Sequence, residues 1–255
     1  MITTHDLTKH YDHKVALQAL SMRVEPGEIL GFLGPNGAGK STTVKILTGM
    51  ILPTSGRASV AGFDVVDQPL EVKKRIGYVP ETAAVYDGLT AAEYLDLVAS
   101  LHHLDPKTSA ARREELLSLF GLAGSQHDRL SEYSKGMRQK VVIAAGLLHR
   151  PEVLFLDEPL DGLDANAAAV VKELLKKLAS QGRTILFCSH ILEVVERICT
   201  RIVIINGGRQ VASGTAAEIR AQTGTTTLED AFSRLTGVRD VGETASDLLS
   251  ALDRV

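Results

Sequence analysis

Gly34-Pro35-Asn36-Gly37-Ala38-Gly39-Lys40-Ser41 stands between an apolar run, Ile29-Leu30-Gly31-Phe32-Leu33, and a segment of helical character from Ser41 to Met50. The octapeptide fits G-x-x-x-x-G-K-S/T at every fixed position, and a strand before it with a helix after it gives that pattern its physical meaning. Glycines let backbone N–H groups curl inward around phosphate oxygens, and the helix adds the positive end of its dipole. Lys40 can then reach β- and γ-phosphates, while the Ser41 hydroxyl can ligate Mg²⁺. The competing reading is an ordinary glycine-rich turn, and the flanking strand and helix argue against it.

Outward from this loop the chain changes character twice. Toward the N-terminus, Ile2 to Lys9 and Leu17 to Val24 alternate as strands, with the turn-like Asp12, His13 and Lys14 between them. Pro26-Gly27 marks a turn into Glu28–Leu33; downstream, Pro53 is read as ending the helix, and Arg57 to Val66 is β-prone. Residues 1–84 are therefore expected to form an antiparallel layer and the first part of a parallel core. Thr90-Ala91-Ala92-Glu93 is a capping box. Tyr94, Val98 and Leu101 recur on one face after it, until Asp105-Pro106 is expected to stop that helix. A second helix carries Leu116, Leu117, Leu119 and Phe120, with Gly121 at C′. A third starts near Ser134 and ends before Pro151, with Met137, Val141, Ala144 and Leu148 on one side. Residues 85–150 thus read as a helical subdomain inserted into an α/β core.

The core resumes over residues 151–214. Val153 to Leu156 is apolar on both faces, as a covered parallel strand should be. A helix with Val171, Leu174, Leu175 and Leu178 on one face follows, closed by Gly182. Thr184 to Cys188 and Ile202 to Ile205 are further strands, and Asn206-Gly207-Gly208 turns into Arg209 to Ser213 as a hairpin. Residues 215–255 read as a mostly helical, polar tail.

Composition narrows the function classes. Hydrophobic residues make up 44% and charged residues 23% of the 255, a soluble globular profile. A formal net charge of −3 argues against a wholly basic nucleic-acid binder. Two cysteines, Cys188 and Cys199, are too few for a disulfide framework and sit in apolar contexts, which suits reduced thiols in a cytosolic protein. Met1 to Tyr11 lacks the apolar run of a secretory signal. The longest apolar stretch, Val141 to Leu148, falls far short of the ~20 residues a bilayer needs. The chain is not expected to cross a membrane by itself.

Asp157 and Glu158 directly follow the strand Val153 to Leu156, which puts them at the carboxyl edge of a parallel sheet, where ligands bind. Asp157 suits a water-mediated Mg²⁺ contact and Glu158 suits a base that polarises an attacking water. Acidic pairs also solvate strand ends, so their place downstream of a phosphate loop carries the catalytic reading. Ser134 and Gly136, at the start of the third middle helix, offer a hydroxyl and backbone amides to a γ-phosphate, or else a plain N-cap. His190 shares the sheet's carboxyl edge and could contact γ-phosphate or be structural. Tyr11 could stack on a purine or merely finish a strand.

Taken in order, these residues resemble the ATP-binding cassette (ABC) transporter ATPase subunit over roughly residues 2–220. The resemblance implies a P-loop NTPase core with a parallel sheet, an N-terminal antiparallel β layer and an inserted helical subdomain. Gly34 to Thr42 is similar to the family's Walker A, so that Gly34, Pro35, Asn36, Gly37, Ala38, Gly39, Lys40, Ser41 and Thr42 would hold ATP. Val153 to Glu158 resembles Walker B, Leu163-Asp164 the D-loop, and His190 the switch histidine. Tyr11 takes the place of the adenine-stacking aromatic. The family likeness further implies ATP with Mg²⁺ as cofactors and hydrolysis to ADP and phosphate. It also implies a head-to-tail dimer in which ATP lies between one subunit's Walker A and its neighbour's signature, with Ser134 and Gly136, and the D-loop Asp164 is counted among the nucleotide-binding residues. A separate transmembrane permease subunit would place the chain, peripherally, on the cytoplasmic face of the cell membrane.

Two departures mark the sequence. In Gly77-Tyr78-Val79-Pro80-Glu81, Glu81 stands where the family's Q-loop commonly has glutamine. A carboxylate can still ligate Mg²⁺, at the cost of a negative charge beside the phosphates. In Ser134-Lys135-Gly136-Met137, Lys135 and Met137 replace Gly and Gln of the usual Ser-Gly-Gly-Gln signature. Both variations, and weakly Leu228-Glu229-Asp230-Ala231-Phe232, are similar to the subclass that powers multidrug, sodium and polysaccharide exporters. A soluble cassette ATPase acting on nucleic acid or ribosomes is the alternative, but tandem cassettes or long coiled-coil insertions usually mark those. A P-loop kinase or GTPase is a third reading; the guanine-reading Asn-Lys-x-Asp is missing. No nucleic-acid partner is expected.

Overall fold

Side chains of a strand point alternately to its two faces, and in Ile29–Leu33 that alternation serves two separate cores. The computed structural model describes residues 1–237 together with Leu249 and Leu252. In chain order its elements are β1 (Ile2–Tyr11), β2 (Lys14–Val24), β3 (Ile29–Leu33), α1 (Lys40–Leu47), β4 (Ser55–Val60), β5 (Phe63–Asp64), α2 (Pro69–Arg75) and β6 (Ile76–Val79). There follow α3 (Ala91–Leu101), α4 (Pro106–Leu119), α5 (Lys135–Leu148), β7 (Val153–Asp157), α6 (Ala165–Ser180) and β8 (Thr184–Cys188). The described chain closes with α7 (Leu192–Ile198), β9 (Arg201–Asn206), β10 (Arg209–Gly214), α8 (Ala216–Thr223) and α9 (Leu228–Thr236).

A six-stranded sheet, ordered β10-β9-β3-β8-β7-β6, is parallel except for β10, which pairs antiparallel with β9. Leu30, Phe32, Val153, Phe155, Leu186 and Val203 point to one face, where they join side chains of β1, β2, β4 and α1. Ile29, Leu33, Leu154, Leu156, Ile185 and Ile204 point to the other, against α5, α6 and α7. Phe32, Phe155 and Phe187 are fully buried, each contributing ~1.5–3 kcal/mol relative to exposure. The four-stranded antiparallel sheet, β2-β1-β4-β5, lies over the first of these cores. The architecture is the α/β P-loop NTPase fold with an added antiparallel layer.

The expected elements are present, with local differences. The α1 helix stops at Thr48, because Gly49 turns left-handed (φ 67°) well before Pro53. The β-prone piece up to Val66 is a hairpin, β4 and β5, folded at Ala61-Gly62. Asp105-Pro106 does not stop α3, which ends at Leu101; it starts α4, with Asp105 as N-cap accepting from the Thr108 amide. Pro106 sits at the first helical position, where its missing N–H has no partner to lose. Leu101 and Leu119 are exposed at 71% and 73%, so the core faces of α3 and α4 are carried by Leu95, Ala99 and Leu117 instead. Both α2 and β6 lie in a stretch where the sequence suggested no element. The remainder of the tail beyond residue 237, apart from Leu249 and Leu252, lies outside the described residues.

Candidate functional site

The loop from Gly34 to Gly39 is anchored at both ends by positions that a side chain cannot occupy. A β-carbon on Gly34 would stand 2.4 Å from the Ile205 carbonyl oxygen, and one on Gly39 would stand 2.5 Å from that of Ala16. Gly39 also has φ 110°, in the left-handed half of the map that glycine tolerates. The loop therefore nests against β9 and β2 and delivers its chain straight into α1. The Lys40 ammonium donates to the carbonyls of Gly34 and Pro35, the latter at 3.3 Å, so it bridges the loop from within.

A cavity of about 230 Å³ opens over this loop. Asn36, Gly37, Gly39, Lys40, Ser41 and Thr42 form its floor, Glu81, Asp157 and Glu158 one wall, and Tyr11, Lys14 and Ala16 another. Asp157 ends β7 and is 5% exposed. The Ser41 hydroxyl donates to its Oδ2 at 3.5 Å. Burial pushes the Asp157 carboxyl above the usual carboxylate range, and the charges of Glu81 and Glu158 push it the same way, against Lys40 and Ser41. The wall thus carries more negative charge than Lys40 balances, which a divalent cation would relieve. Among the described residues no three His, Cys, Asp or Glu side chains converge as a metal cage. A hydroxyl with a single carboxylate close by fits Mg²⁺, which keeps waters and substrate phosphates as its other ligands.

Glu158 has φ 49°, an unusual backbone for a non-glycine residue, and its amide donates to the Cys188 carbonyl at 3.0 Å. Its carboxylate Oε2 lies 2.9 Å from Nδ1 of His190, which is itself exposed. Tyr11, at the end of β1, is 44% exposed, with the Lys9 ammonium 5.0 Å from its ring centroid. One face of that ring is engaged by a cation and the ring borders the cavity.

Ser134, Gly136 and Asp164 stand elsewhere. Ser134 is the N-cap of α5, its hydroxyl accepting from the Met137 amide at 3.3 Å. Gly136 abuts Gly162. Asp164 is the N-cap of α6, accepting from the Ala167 amide at 2.8 Å, a bond that holds its carboxyl below the usual range. None of the three lines the Lys40 cavity. Lys14, expected only as a turn residue, and Ala16, with no expected role, do; they enter because β2 runs beside the phosphate loop. Tyr78 also went unread: burial and the nearby Asp157 charge push its phenol up to about 12. Burial pushes both thiols up as well, which disfavours the nucleophilic thiolate at Cys188 and Cys199.

A parallel sheet with a phosphate-binding loop between β3 and α1, and carboxylates at the carboxyl end of β7, defines a P-loop nucleotide-binding protein. The family model described as "ABC transporter" matches residues 17–161. The chain belongs to that family, as one of its ATP-binding subunits. It is 41% identical over 223 residues to the daunorubicin resistance ATP-binding protein DrrA3 of Streptomyces coeruleorubidus, covering 88% of this chain and 71% of that protein. It is 39% identical over 220 residues to the ABC transporter ATP-binding protein NatA of Bacillus subtilis, covering 84% of this chain and 89% of that one. A solved ATP binding subunit of an ABC transporter superposes with a TM-score of 0.87 at 34% identity, covering 92% of this chain and 99% of the other. The dimeric structure of MJ0796, a bacterial ABC transporter cassette, superposes with 0.79 at 25% identity, covering 84% and 98%.

Proposed function

We propose that this subunit binds Mg-ATP over the Gly34–Thr42 loop and hydrolyses it to ADP and phosphate, powering an exporter through a separate transmembrane subunit. The observation that carries the reading is the Glu158 carboxylate, fixed at the carboxyl end of β7 in the wall of the Lys40 cavity and paired with the exposed His190. Backbone amides of residues 36–42 and the α1 N-terminus bind the phosphates, Lys40 leaves its carbonyl partners for the β- and γ-phosphates, and Tyr11 stacks on the adenine. Ser41 and Asp157, with Glu81 on the same wall, hold the Mg²⁺. The cation, when bound, neutralises charge on the phosphate oxygens. Glu158 takes a proton from the attacking water while His190 orients that water and the γ-phosphate.

Ser134, Gly136 and Asp164 serve a second cassette's nucleotide in a head-to-tail dimer, which their position away from the Lys40 cavity supports. Residues 85–150 act as the helical subdomain that meets the transmembrane subunit, between core pieces 1–84 and 151–214 and a tail from 215. Among the described residues no helix is long and apolar enough to cross a membrane, in keeping with a peripheral place on the cytoplasmic face. The resistance role in the name of DrrA3 supports export as the direction.

Nucleotide binding and turnover measured on two variants test the division of labour. Lys40→Ala should lose tight Mg-ATP binding. Glu158→Gln should keep binding and lose ~10²–10⁴-fold in turnover, the usual contribution of a general base. Equal loss of affinity in both would overturn the assignment.

A further inference from the structure

The first two turns of α5 hold the segment after β7 at several points. The Lys135 ammonium lies 2.6 Å from Asp161 Oδ2. Its alkyl chain lies over Gly162 so closely that a β-carbon there would come within 2.9 Å of Cγ. Gly136 abuts the same residue, with room for no β-carbon: one would stand 2.5 Å from the Gly162 carbonyl oxygen. One turn further on, the buried Gln139 donates its side-chain amide to the Pro159 carbonyl at 3.1 Å, and Lys140 lies 3.6 Å from Asp164.

This segment begins at Glu158, whose left-handed backbone persists only where its surroundings over-determine it. The Asp161 amide donates to the Glu158 carbonyl at 3.1 Å, closing the turn between them. Movement of Asp161 is therefore passed directly to the backbone that aims the Glu158 carboxylate. A glycine at position 135, the residue usual in the family signature, has no group with which to restrain Asp161. The Lys135 ammonium holds the Asp161 carboxyl below its usual range, which favours the carboxylate that the contact needs.

We propose that Lys135 and Asp161 form a latch within one chain, by which the signature helix holds the 158–164 turn, and that Lys135 is thus a positioning residue for Glu158. The proposal rests on the hydrolysis reading above. The latch joins a side chain next to Ser134, assigned to a neighbour's nucleotide, to the turn that carries Glu158, assigned to the chain's own. Lys135 directs its charge to Asp161 in its own chain.

A double-mutant cycle on the full chain tests it by steady-state ATPase measurement. Lys135→Met and Asp161→Asn should each lower kcat about two- to fivefold, the size an exposed ion pair can carry, with KM for ATP unchanged. The double variant should be no slower than either single one, because both remove the same interaction. Lys135→Arg should restore the wild-type rate. Losses that multiply in the double variant overturn the latch. So does a raised KM in Lys135→Met with Asp161→Asn at the wild-type rate, which would make Lys135 a phosphate ligand. Amide hydrogen exchange over residues 159–164 decides the matter independently of turnover: it should quicken in both single variants, and unchanged exchange sinks the latch. A wild-type chain that binds ATP without hydrolysing it would defeat the hydrolysis reading, while the exchange result would still judge the latch.

Discussion

Glu81 stands where glutamine is the common residue of the Q-loop it resembles, and the cavity shows what its added carboxylate does. It shares one wall with Asp157 and Glu158, and its charge ranks second, after burial, among the influences that raise the Asp157 carboxyl. If Glu81 helps hold Mg²⁺, Glu81→Gln should stay active, since glutamine also offers an oxygen. Glu81→Ala should need ~10-fold more Mg²⁺ for half-maximal turnover, the lower end of what loss of a supporting ligand costs, with ATP affinity changed less. Unchanged Mg²⁺ titration in the alanine variant would make Glu81 a bystander. At this scale the phosphate loop and the Asp157-Glu158 pair were legible because strand ends fix their positions and spacing declares them. Lys14 and Ala16 were not, since they reach the cavity through the packing of β2 against the phosphate loop, a contact between distant parts of the chain that no local pattern records. The backbone strain at Glu158 was equally silent, being set by the Cys188 carbonyl on the neighbouring strand.

Elements followed the same division. The start of α3 was readable because a capping box is a local device: the Glu93 amide donates to the Thr90 hydroxyl at 3.2 Å, and the Glu93 carboxylate accepts from the Thr90 amide at 2.9 Å. Strand β6 was not readable, having four residues, one of them Gly77, behind a short charged helix. It exists because Ile76 to Val79 pair with Val153 to Leu156. Gly77 is required there, since a β-carbon would meet the Gly146 carbonyl oxygen at 2.2 Å. Pro106 was misread for a related reason: a proline that cannot continue one helix is equally suited to begin the next. The energetic worth of the α3 cap can be measured. Thr90→Ala removes the bond to the Glu93 amide and should destabilise the protein by ~1 kcal/mol. For a chain of this size that is ~2–4 °C in Tm, read by thermal unfolding. Thr90→Ser should restore most of it, and a Tm unchanged in the alanine variant would show the box to be energetically idle.

At the scale of the whole molecule, the residues proposed to bind nucleotide fall into two groups that do not meet. Lys40 lies at the start of α1 and Ser134 at the start of α5, and Ser134 does not line the cavity over Lys40. A γ-phosphate above Lys40 therefore has no contact with the Ser134 hydroxyl of the same chain, and a second copy turned head to tail would supply it. In such a homodimer each site needs Lys40 from one chain and Ser134 from the other. A Lys40→Ala chain and a Ser134→Arg chain should each fail to form an ATP-held dimer alone. Mixed together, they should give heterodimers with one doubly damaged site and one intact site. With Glu158→Gln placed in both chains, hydrolysis is blocked and an ATP-held dimer persists long enough to be measured. Size-exclusion chromatography with Mg-ATP should then show a dimer peak for the mixture and none for either variant alone. A mixture that stays monomeric while the Glu158→Gln chain dimerises would mean that the site is not shared, or that one intact site does not suffice. If the Glu158→Gln chain itself never dimerises, the second half-site must come from a different cassette or depend on the transmembrane subunit. Co-expression with each candidate partner, followed by the same chromatography, separates those two cases.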